Sequence, residues 1–524
     1  MRGTPYVHGD FRGGLNTKAA NYLLEDTQCR DCLNVQSTTT GAIVKRPGVT
    51  TVTPTAALSS LKTVFAVQAT ASSHYLAMSD SAIYKVSQTS GVWGFNDLLV
   101  SGIGTQGKWA VVEATADGTQ GPVFLSNGVV SKAWDGTSMV DWTMDSSSTL
   151  LSSGSAVPPH TISIVHESRI VIASGSTIYW SEVQVGVGTK PRTWLLENQQ
   201  LFDPDDGDVI TGLGRVGSNL IVFKKHKVFV VYDLNTGATR RLTSNIGCVS
   251  PNSVVETPMG TMFLSENGVY ITDGSSTQLV SDVITPTVKA LSDPANSSAV
   301  LYRNHYYLSS GSIVLDYDLA LKSWWKHSLS SGSIVDFTTR FDGATEQLHC
   351  ISADKVGRMF DDAVFTDFGS TYSWKWAGPW LSPGQARMVY PAVRKRLKAL
   401  RIDGKGLVGL KLGTDFADDS SAQSVTAQNP DGSVSQSLFP RPASTTFAPA
   451  SNDGTYFGDY ITGGTGPVTL IAPTYFSDFQ SWQQARVWGQ GVARSWSLIF
   501  SDYAADTSAA IIENYTIFTQ ERNQ

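Results

Sequence analysis

What this chain has little of already narrows its chemistry. Only 16% of its 524 residues are charged, and 39 basic against 45 acidic side chains leave a formal charge of -6. A protein that grips nucleic acid by its phosphates needs a basic excess, which is absent here. No apolar stretch approaches the ~18 residues that cross a bilayer. The opening Met1-Arg2-Gly3-Thr4-Pro5-Tyr6 lacks the apolar core of a secretory signal, so the sequence reads as a soluble protein made in the cytosol. Four cysteines cannot build a disulfide scaffold. Cys29 and Cys32 form a lone C-x-x-C without the second ligand pair of a structural zinc site, and Cys248 and Cys350 stand singly. A short helix over Gln28 to Leu33 would set Cys29 and Cys32 on one face as small buried residues.

Catalytic signatures are equally thin. Gly102-Ile103-Gly104-Thr105-Gln106-Gly107-Lys108 fits G-x-x-x-x-G-K, but Trp109 follows where a hydroxyl must reach Mg²⁺, and no strand-loop-helix pattern surrounds it. G-x-S-x-G does not occur. His166-Glu167 lacks the second histidine of a zinc-protease helix, and the eight histidines are scattered. Asp203, Asp205, Asp206 and Asp208 are dense enough to hold Ca²⁺, yet their spacing is not that of an EF-hand. Pro204-Asp205-Asp206-Gly207 is good turn chemistry without metal. The sequence therefore predicts no catalytic residues, no metal and no cofactor.

What is present is strand material: 47 glycines, many Ser and Thr, and 14 Trp, 18 Tyr and 21 Phe. Three hairpins can be read directly, Arg169 to Trp180 around Ser174-Gly175-Ser176, Leu220 to Tyr232, and His305 to Tyr317. Helical periodicity is confined to Ala19 to Leu33 and Val283 to Leu291. Strand-rich units recur near 61–96, 107–142, 160–182, 208–245, 248–281, 297–329 and 333–362, a period of roughly 35 to 50 residues that suits propeller blades. Two units share Phe-Leu-Ser, an Asn-Gly turn (Asn127-Gly128, Asn267-Gly268) and then Asp-Gly (Asp135-Gly136, Asp273-Gly274). The third carries an insertion through Phe202, and Ser-rich Ser146 to Ser155 reads as a flexible connector.

The fold expected is mainly β: a six- or seven-bladed β-propeller over 51–365, an N-terminal arm over 1–50, and a small β-sandwich-like domain over 366–524 with a flexible insertion near 415–465. In the last, Val393 to Ile402 and Gly406 to Leu412 read as paired strands turning at Asp403-Gly404. Propellers include glycosidases of the sialidase type, but Ser451-Asn452-Asp453-Gly454 misplaces the glycine of their repeated turn and lies outside the blades. One charge run remains, Arg394, Lys395, Arg396, Lys398 and Arg401, with Arg394, Arg396 and Lys398 on one strand face. It reads as a solvated or charge-blunted edge strand, a subunit contact, or a basic ring touching passing DNA.

The stretch Asp10-Phe11-Arg12-Gly13-Gly14-Leu15-Asn16-Thr17, then Asn34-Val35 and Lys45-Arg46-Pro47-Gly48, resembles the opening of tail hub or nozzle proteins of short-tailed bacteriophages. Gly247 to Pro251, Phe263 to Tyr270, Asp316-Tyr317-Asp318 with Ser323 to His327, and Pro391 to Gly404 are similar to motifs of the same family. The resemblance implies a structural virion protein, made in the host cytoplasm and carried in the tail. It would form a six-fold ring below the portal and adaptor that extends the channel for DNA retention and ejection. Phe11, Arg12, Gly13, Gly14, Leu15 and Asn16 would dock on the adaptor or a neighbour, or the arm would supply a strand completing the last blade. Partners would be copies of itself, portal, adaptor and other tail proteins, with transient contact to viral DNA and no membrane span. The alternative is a propeller-type receptor- or glycan-binding tail protein presenting exposed Trp on blade loops; a propeller glycosidase or lyase would need two carboxylates in one pocket.

Overall fold

Apolar alternation closed by Gly-containing turns produces the three hairpins. In the computed structural model Arg169–Ser174 pairs with Thr177–Ser181, and Asn219–Lys224 with Val228–Asp233, both antiparallel. His305–Ser310 neighbours Ile313–Asp318, with Gly311 at φ 57 between them. The structure describes residues 5–381 apart from 53–59, 68–73, 90–91, 104–106, 117–118, 135, 137, 184–191, 343–344 and 353–354. Beyond these it describes 395–405, 408–414, 423–425, 427–428, 434–435, 483–488, 492–493, 496–502 and 509–521. The described residues form two compact units, Thr50–Leu315 with Ser331–Met359, and Met1–Val49 with Asp316–Ser330 and Phe360–Gln524.

Seven four-stranded sheets follow one another along the chain. Their first strands are Leu61–Val67, Ala110–Ala116, Ile162–His166, Ile210–Val216, Val255–Thr257, Ser298–Tyr302 and Ile334–Asp342. Six sheets take their four strands consecutively, while the seventh takes Gly48–Thr51 beside Lys355–Asp361. The insertion in the third unit falls between Thr177–Ser181 and its fourth strand, Trp194–Leu201. Ser146 to Ser155 does join the second sheet to the third, but it is tied down: Asp145 Oδ1 accepts from Ser147 N and the Ser148 hydroxyl, and Trp194 O accepts from Thr149 N and Leu150 N.

The core lies between sheets. Leu220 and Val222 pack on Val171 and Trp180 of the third sheet, whereas Ile221 and Phe223, one residue out of step, pack on Phe263 and Tyr270 of the fifth. Period-two alternation thus sends successive side chains to opposite neighbours, which is why the middle strands read as unbroken apolar runs. Met78 and Ile83 meet Trp109 and Trp134 between the first and second sheets, and Phe124 and Trp142 meet Ile172 and Trp194 between the second and third. The circuit closes where Ile351 and Val356 of the seventh sheet pack on Val64 and Tyr75 of the first. This unit is β-propeller-like.

The other unit holds a seven-stranded sheet running Gln483–Trp488, Lys395–Lys405, Ile511–Glu521, Ile43–Lys45, Val35–Ser37, with Tyr6–His8 also on Ile511–Glu521 and Val492–Ala493 on Lys395–Lys405. A five-stranded sheet runs Gln423–Val425, Gly409–Thr414, Trp496–Ser501, Lys375–Ala377, Asp31–Leu33.

Several expectations need correction here. Residues 5–49 are not a separate arm: Tyr6–His8, Asp31–Leu33, Val35–Ser37 and Ile43–Lys45 fill places in these sheets, and Gly48–Thr51 supplies the strand that completes the last four-stranded sheet, as the alternative reading of the arm expected. Gln28 to Leu33 is not helical: Gln28–Cys29 lies parallel to Gly14–Leu15, and Asp31–Leu33 pairs with Lys375–Ala377, so pairing overrides local periodicity. Helix does form at the other site, as Thr285–Lys289 behind the 3-10 turn Asp282–Ile284. Asp403-Gly404 is no turn: Lys395–Lys405 continues through it with only a register shift against Ile511–Glu521, and Gly409–Thr414 belongs to the other sheet. In both Asn-Gly pairs only the glycine takes positive φ, 86° at Gly128 and 151° at Gly268. Most of 415–465 lies outside the described residues.

Candidate functional site

Two buried polar junctions stand out, one in each unit. The first grows from Lys45-Arg46-Pro47-Gly48. The Arg46 guanidinium is 1% exposed. It forms a bidentate pair with Asp367, at 3.0 and 2.6 Å, and donates to Asn34 Oδ1, Pro47 O and Ser328 O at 2.8–2.9 Å. All five N–H donors are used, the condition under which a desolvated guanidinium is tolerated. The Tyr372 ring lies 4.1 Å from its charge centre, and the Tyr372 hydroxyl donates to Arg46 O. Asn34 reaches this geometry with φ 55, a conformation Asn tolerates better than most residues. Its amide nitrogen donates to Ser373 O, and its Oδ1 also accepts from Ser328 N.

The second junction sits on the first strands of the propeller-like unit. Asp336 is 6% exposed; its Oδ1 accepts the Ser298 hydroxyl at 2.6 Å and its Oδ2 accepts Val64 N at 3.3 Å. One carboxyl therefore joins the sixth, seventh and first sheets. Burial raises its pKa, with Lys108 acting the other way. The Lys108 ammonium is itself buried, and burial pulls its pKa down. The G-x-x-x-x-G-K lysine thus faces the unit's interior, and no helix follows it. Arg215 also links first strands of neighbouring sheets, but at an exposed position, forming a bidentate pair with Glu256 at 2.7 and 3.0 Å and donating to Val165 O at 2.8 Å.

The residues expected to dock on an adaptor are mostly spent inside their own unit. Phe11 is fully buried, edge-on to Trp376 at 5.1 Å. A Cβ on Gly13 would lie 2.5 Å from Thr27 Oγ1, and one on Gly14 2.7 Å from Trp324 O. Leu15 is buried, and Asn16 Oδ1 accepts from Lys18 N and Ala19 N. Arg12 alone is exposed, and it is held bidentate by Asp10 at 2.9 and 2.8 Å. Close packing of small and apolar residues, not a docking face, explains the Gly-Gly-Leu-Asn sequence.

Arg394 and the side chains of Lys395, Arg396, Lys398 and Arg401 lie outside the described residues. The backbone rejects the edge-strand reading, because Lys395–Lys405 is paired on both sides. A register shift between Leu397 and Ala399 also breaks the strict alternation of the basic run at Lys398.

Two carboxylates of the acidic loop, Asp203 and Asp206, are paired with lysines of the neighbouring hairpin. Lys224, fully buried, reaches Asp206 at 2.8 Å, and Lys227 reaches Asp203 and Asp206 at 2.8 Å each. Hydrogen bonds from Lys224 and Lys227 hold the Asp206 carboxyl well below its usual range. Among the described residues no group of three or more His, Cys, Asp or Glu is placed to hold a metal ion. Cys248 is a poor nucleophile: burial pushes its thiol up to about 11. Sequence reasoning missed Asp336, although a lone acid inside Ile334-Val335-Asp336-Phe337 is the signature of a charge buried for a purpose.

No family model matches the chain, and no curated protein matches it. Among solved structures it is similar to the extracellular domain of a protein described as a hybrid two-component system from B. thetaiotaomicron, at 8% identity and TM-score 0.44 over 78% of this chain and 57% of that one. It is also similar to the extracellular domain of a one-component system from the same organism, at 9% identity and TM-score 0.42 over 76% and 57%. The chain thus spans a little over half the length of either neighbour. No helix among the described residues is long and apolar enough to cross a membrane.

Proposed function

We propose that this chain is a structural protein of a bacteriophage tail: a seven-bladed β-propeller with a second, sandwich-like β unit, assembled as a ring below the portal and adaptor. One observation carries the reading. The segments that resemble tail hub and nozzle proteins, Gly13 to Asn16, Asn34-Val35, Lys45 to Gly48 and Asp316 to His327, are scaffold residues of a single unit, met in the Arg46 junction and the packing of Gly14 on Trp324. A motif used wholly for internal architecture suits a protein whose work is to be rigid. The net acidic chain also suits a conduit through which DNA slides, since each neutralised phosphate adds salt-sensitive affinity.

Quantitative mass spectrometry of purified particles tests this. About half as many copies as a twelve-fold portal supports the ring. Absence from particles sinks the proposal.

The second reading, a receptor- or glycan-binding propeller, would use exposed aromatic platforms. Trp109, Trp134, Trp142, Trp180, Trp194, Trp324, Trp325, Trp374, Trp376 and Trp380 are all buried, which leaves Tyr22, Tyr232 and Phe341 as the exposed aromatics among the described side chains. Specific binding on a glycan array would promote that reading over the ring.

A further inference from the structure

The two Asn-Gly pairs are alike in sequence, yet the fold treats their side chains in opposite ways. Asn127 is 2% exposed, and its Oδ1 accepts from Val129 N at 3.0 Å and Val130 N at 2.9 Å. The backbone nitrogen that follows it, Gly128 N, donates to Ser126 Oγ at 3.4 Å. Thr161, at the entry to the third sheet, packs on the same turn, with Cγ2 3.1 Å from where a Gly128 Cβ would stand. Asn267 is exposed at the turn between Gly260–Ser265 and Gly268–Thr272, and among the described residues its carboxamide makes no hydrogen bond. Gly268 beside it is buried and clamped: a Cβ there would lie 2.6 Å from both Leu279 Cδ1 and Ser281 Oγ. A carboxamide free to turn thus stands next to a backbone nitrogen whose residue has no side chain to shield it.

We propose that Asn267 is a self-modification site, deamidating through Gly268 in the folded protein, while the fold holds Asn127 intact. Gly268 N attacks Asn267 Cγ. The new C–N bond closes an imide ring, and the amide nitrogen leaves as ammonia with the proton that Gly268 N gives up. Water then opens either imide carbonyl, leaving aspartate or isoaspartate. One water is consumed and one ammonia released, with no oxidant, reductant or other reagent. Asn127 reaches Gly128 N only by giving up both hydrogen bonds to its Oδ1, which corresponds to roughly tenfold or more in rate. The modification changes the surface where it occurs. It adds a carboxylate one residue from Glu266, whose own carboxylate pairs with Lys225 at 2.8 Å and lies 3.8 Å from His226 Nε2. The isoaspartate product also lengthens the backbone by a methylene, at a turn whose glycine is packed against Leu279 and Ser281.

The sequence supplies a clean readout. Trypsin cuts after Lys108, Lys132, Arg241 and Lys289, which places Asn127 in peptide 109–132 and Asn267 in peptide 242–289. Full-length protein is incubated in mildly alkaline buffer, sampled over time, digested and sequenced by mass spectrometry, with a parallel incubation in urea. In the folded protein, aspartate and isoaspartate should accumulate at position 267 while peptide 109–132 keeps its amide. In urea the two sites should convert at similar rates, because only the fold distinguishes them. Asn127 converting as fast as Asn267 in the folded protein would overturn the proposal. So would an Asn267 that keeps its amide when folded and loses it in urea. An Asn267→Gln variant should lack the acidic species that wild type develops on ion exchange, and the folded-against-urea comparison decides the matter without it.

Discussion

The Ser298 hydroxyl donates to Asp336 Oδ1 across 2.6 Å, and both residues are buried on first strands of adjacent sheets. The other oxygen of the same carboxyl holds Val64 N of the first sheet, so one side chain spans the place where the circuit of sheets closes. Removing it leaves two buried donors unpaired, which costs about 1–3 kcal/mol for each group. Asp336→Ala should therefore destabilise the propeller-like unit by about 3 kcal/mol in a denaturant titration. Asp336→Asn keeps an acceptor for Val64 N and a donor for Ser298 Oγ, and should lose less than half as much. Equal losses for the two variants would count against the bridging role.

Arg46 and Asp367 make the corresponding test in the other unit. Breaking a buried pair from one side costs about 3–5 kcal/mol, because the surviving charge is left uncompensated. Arg46→Met and Asp367→Leu should each reach that range. The double variant should lose much less than the sum, a coupling readable by a double-mutant cycle. Arg46→Lys should also fail, since an ammonium cannot serve Asp367, Asn34, Pro47 and Ser328 at once.

Gly48 has no room for a side chain: a Cβ there would sit 2.1 Å from Thr366 O, while Gly48 N donates to Val364 O. Gly48→Ala should lower the melting temperature by several degrees, as expected for a loss of about 2 kcal/mol or more in a domain of this kind. Gly136, with open space around its Cβ position but φ 97, is a milder comparison site.

Acid should weaken the propeller-like unit through two buried histidines. Burial pulls His160 down to about 4, while its Nδ1 donates to Pro158 O at 2.8 Å. Burial, Arg340 and Arg358 pull His349 down to about 3. A histidine whose folded pKa lies below its unfolded value of 6.5 binds its proton later in the native state than in the unfolded one. Its stabilising contribution is full above pH 6.5 and is lost as pH falls towards 4, for His160 on the order of 3 kcal/mol. Denaturation midpoints across this window should fall with pH in the wild type. His160→Asn, which keeps a donor to Pro158 O, should flatten part of the slope.

The repeating sheets were legible because their cue is local: Leu220 to Phe223, a turn, then Val228 to Val231 declares a hairpin to any reader of period two. The long-range partners were not. Cys29 and Cys32 have helical spacing, and only pairing with Leu15 and Trp376 makes strands of them. Arg46 could be seen as part of a motif, but Asp367 lies hundreds of residues away and nothing near either residue announces the other. The Arg394 to Arg401 run misled for the same reason: charge density suggested an edge, whereas the closing strand Ile511–Glu521 covers one flank and Gln483–Trp488 the other.

The seventh sheet takes its fourth strand from Gly48–Thr51, and Val52 N donates to Val356 O at 2.9 Å. During synthesis those early residues must wait until 355–361 have left the ribosome, by which time the strands of the first six sheets have all been made. Closure of so distant a pairing is slow, since loop entropy must be overcome before its contacts form. The same geometry works in reverse once the circuit is shut. A strand cannot peel from one end of a sequence-local hairpin there, so the finished unit should be lost to proteases and heat by rate rather than by equilibrium.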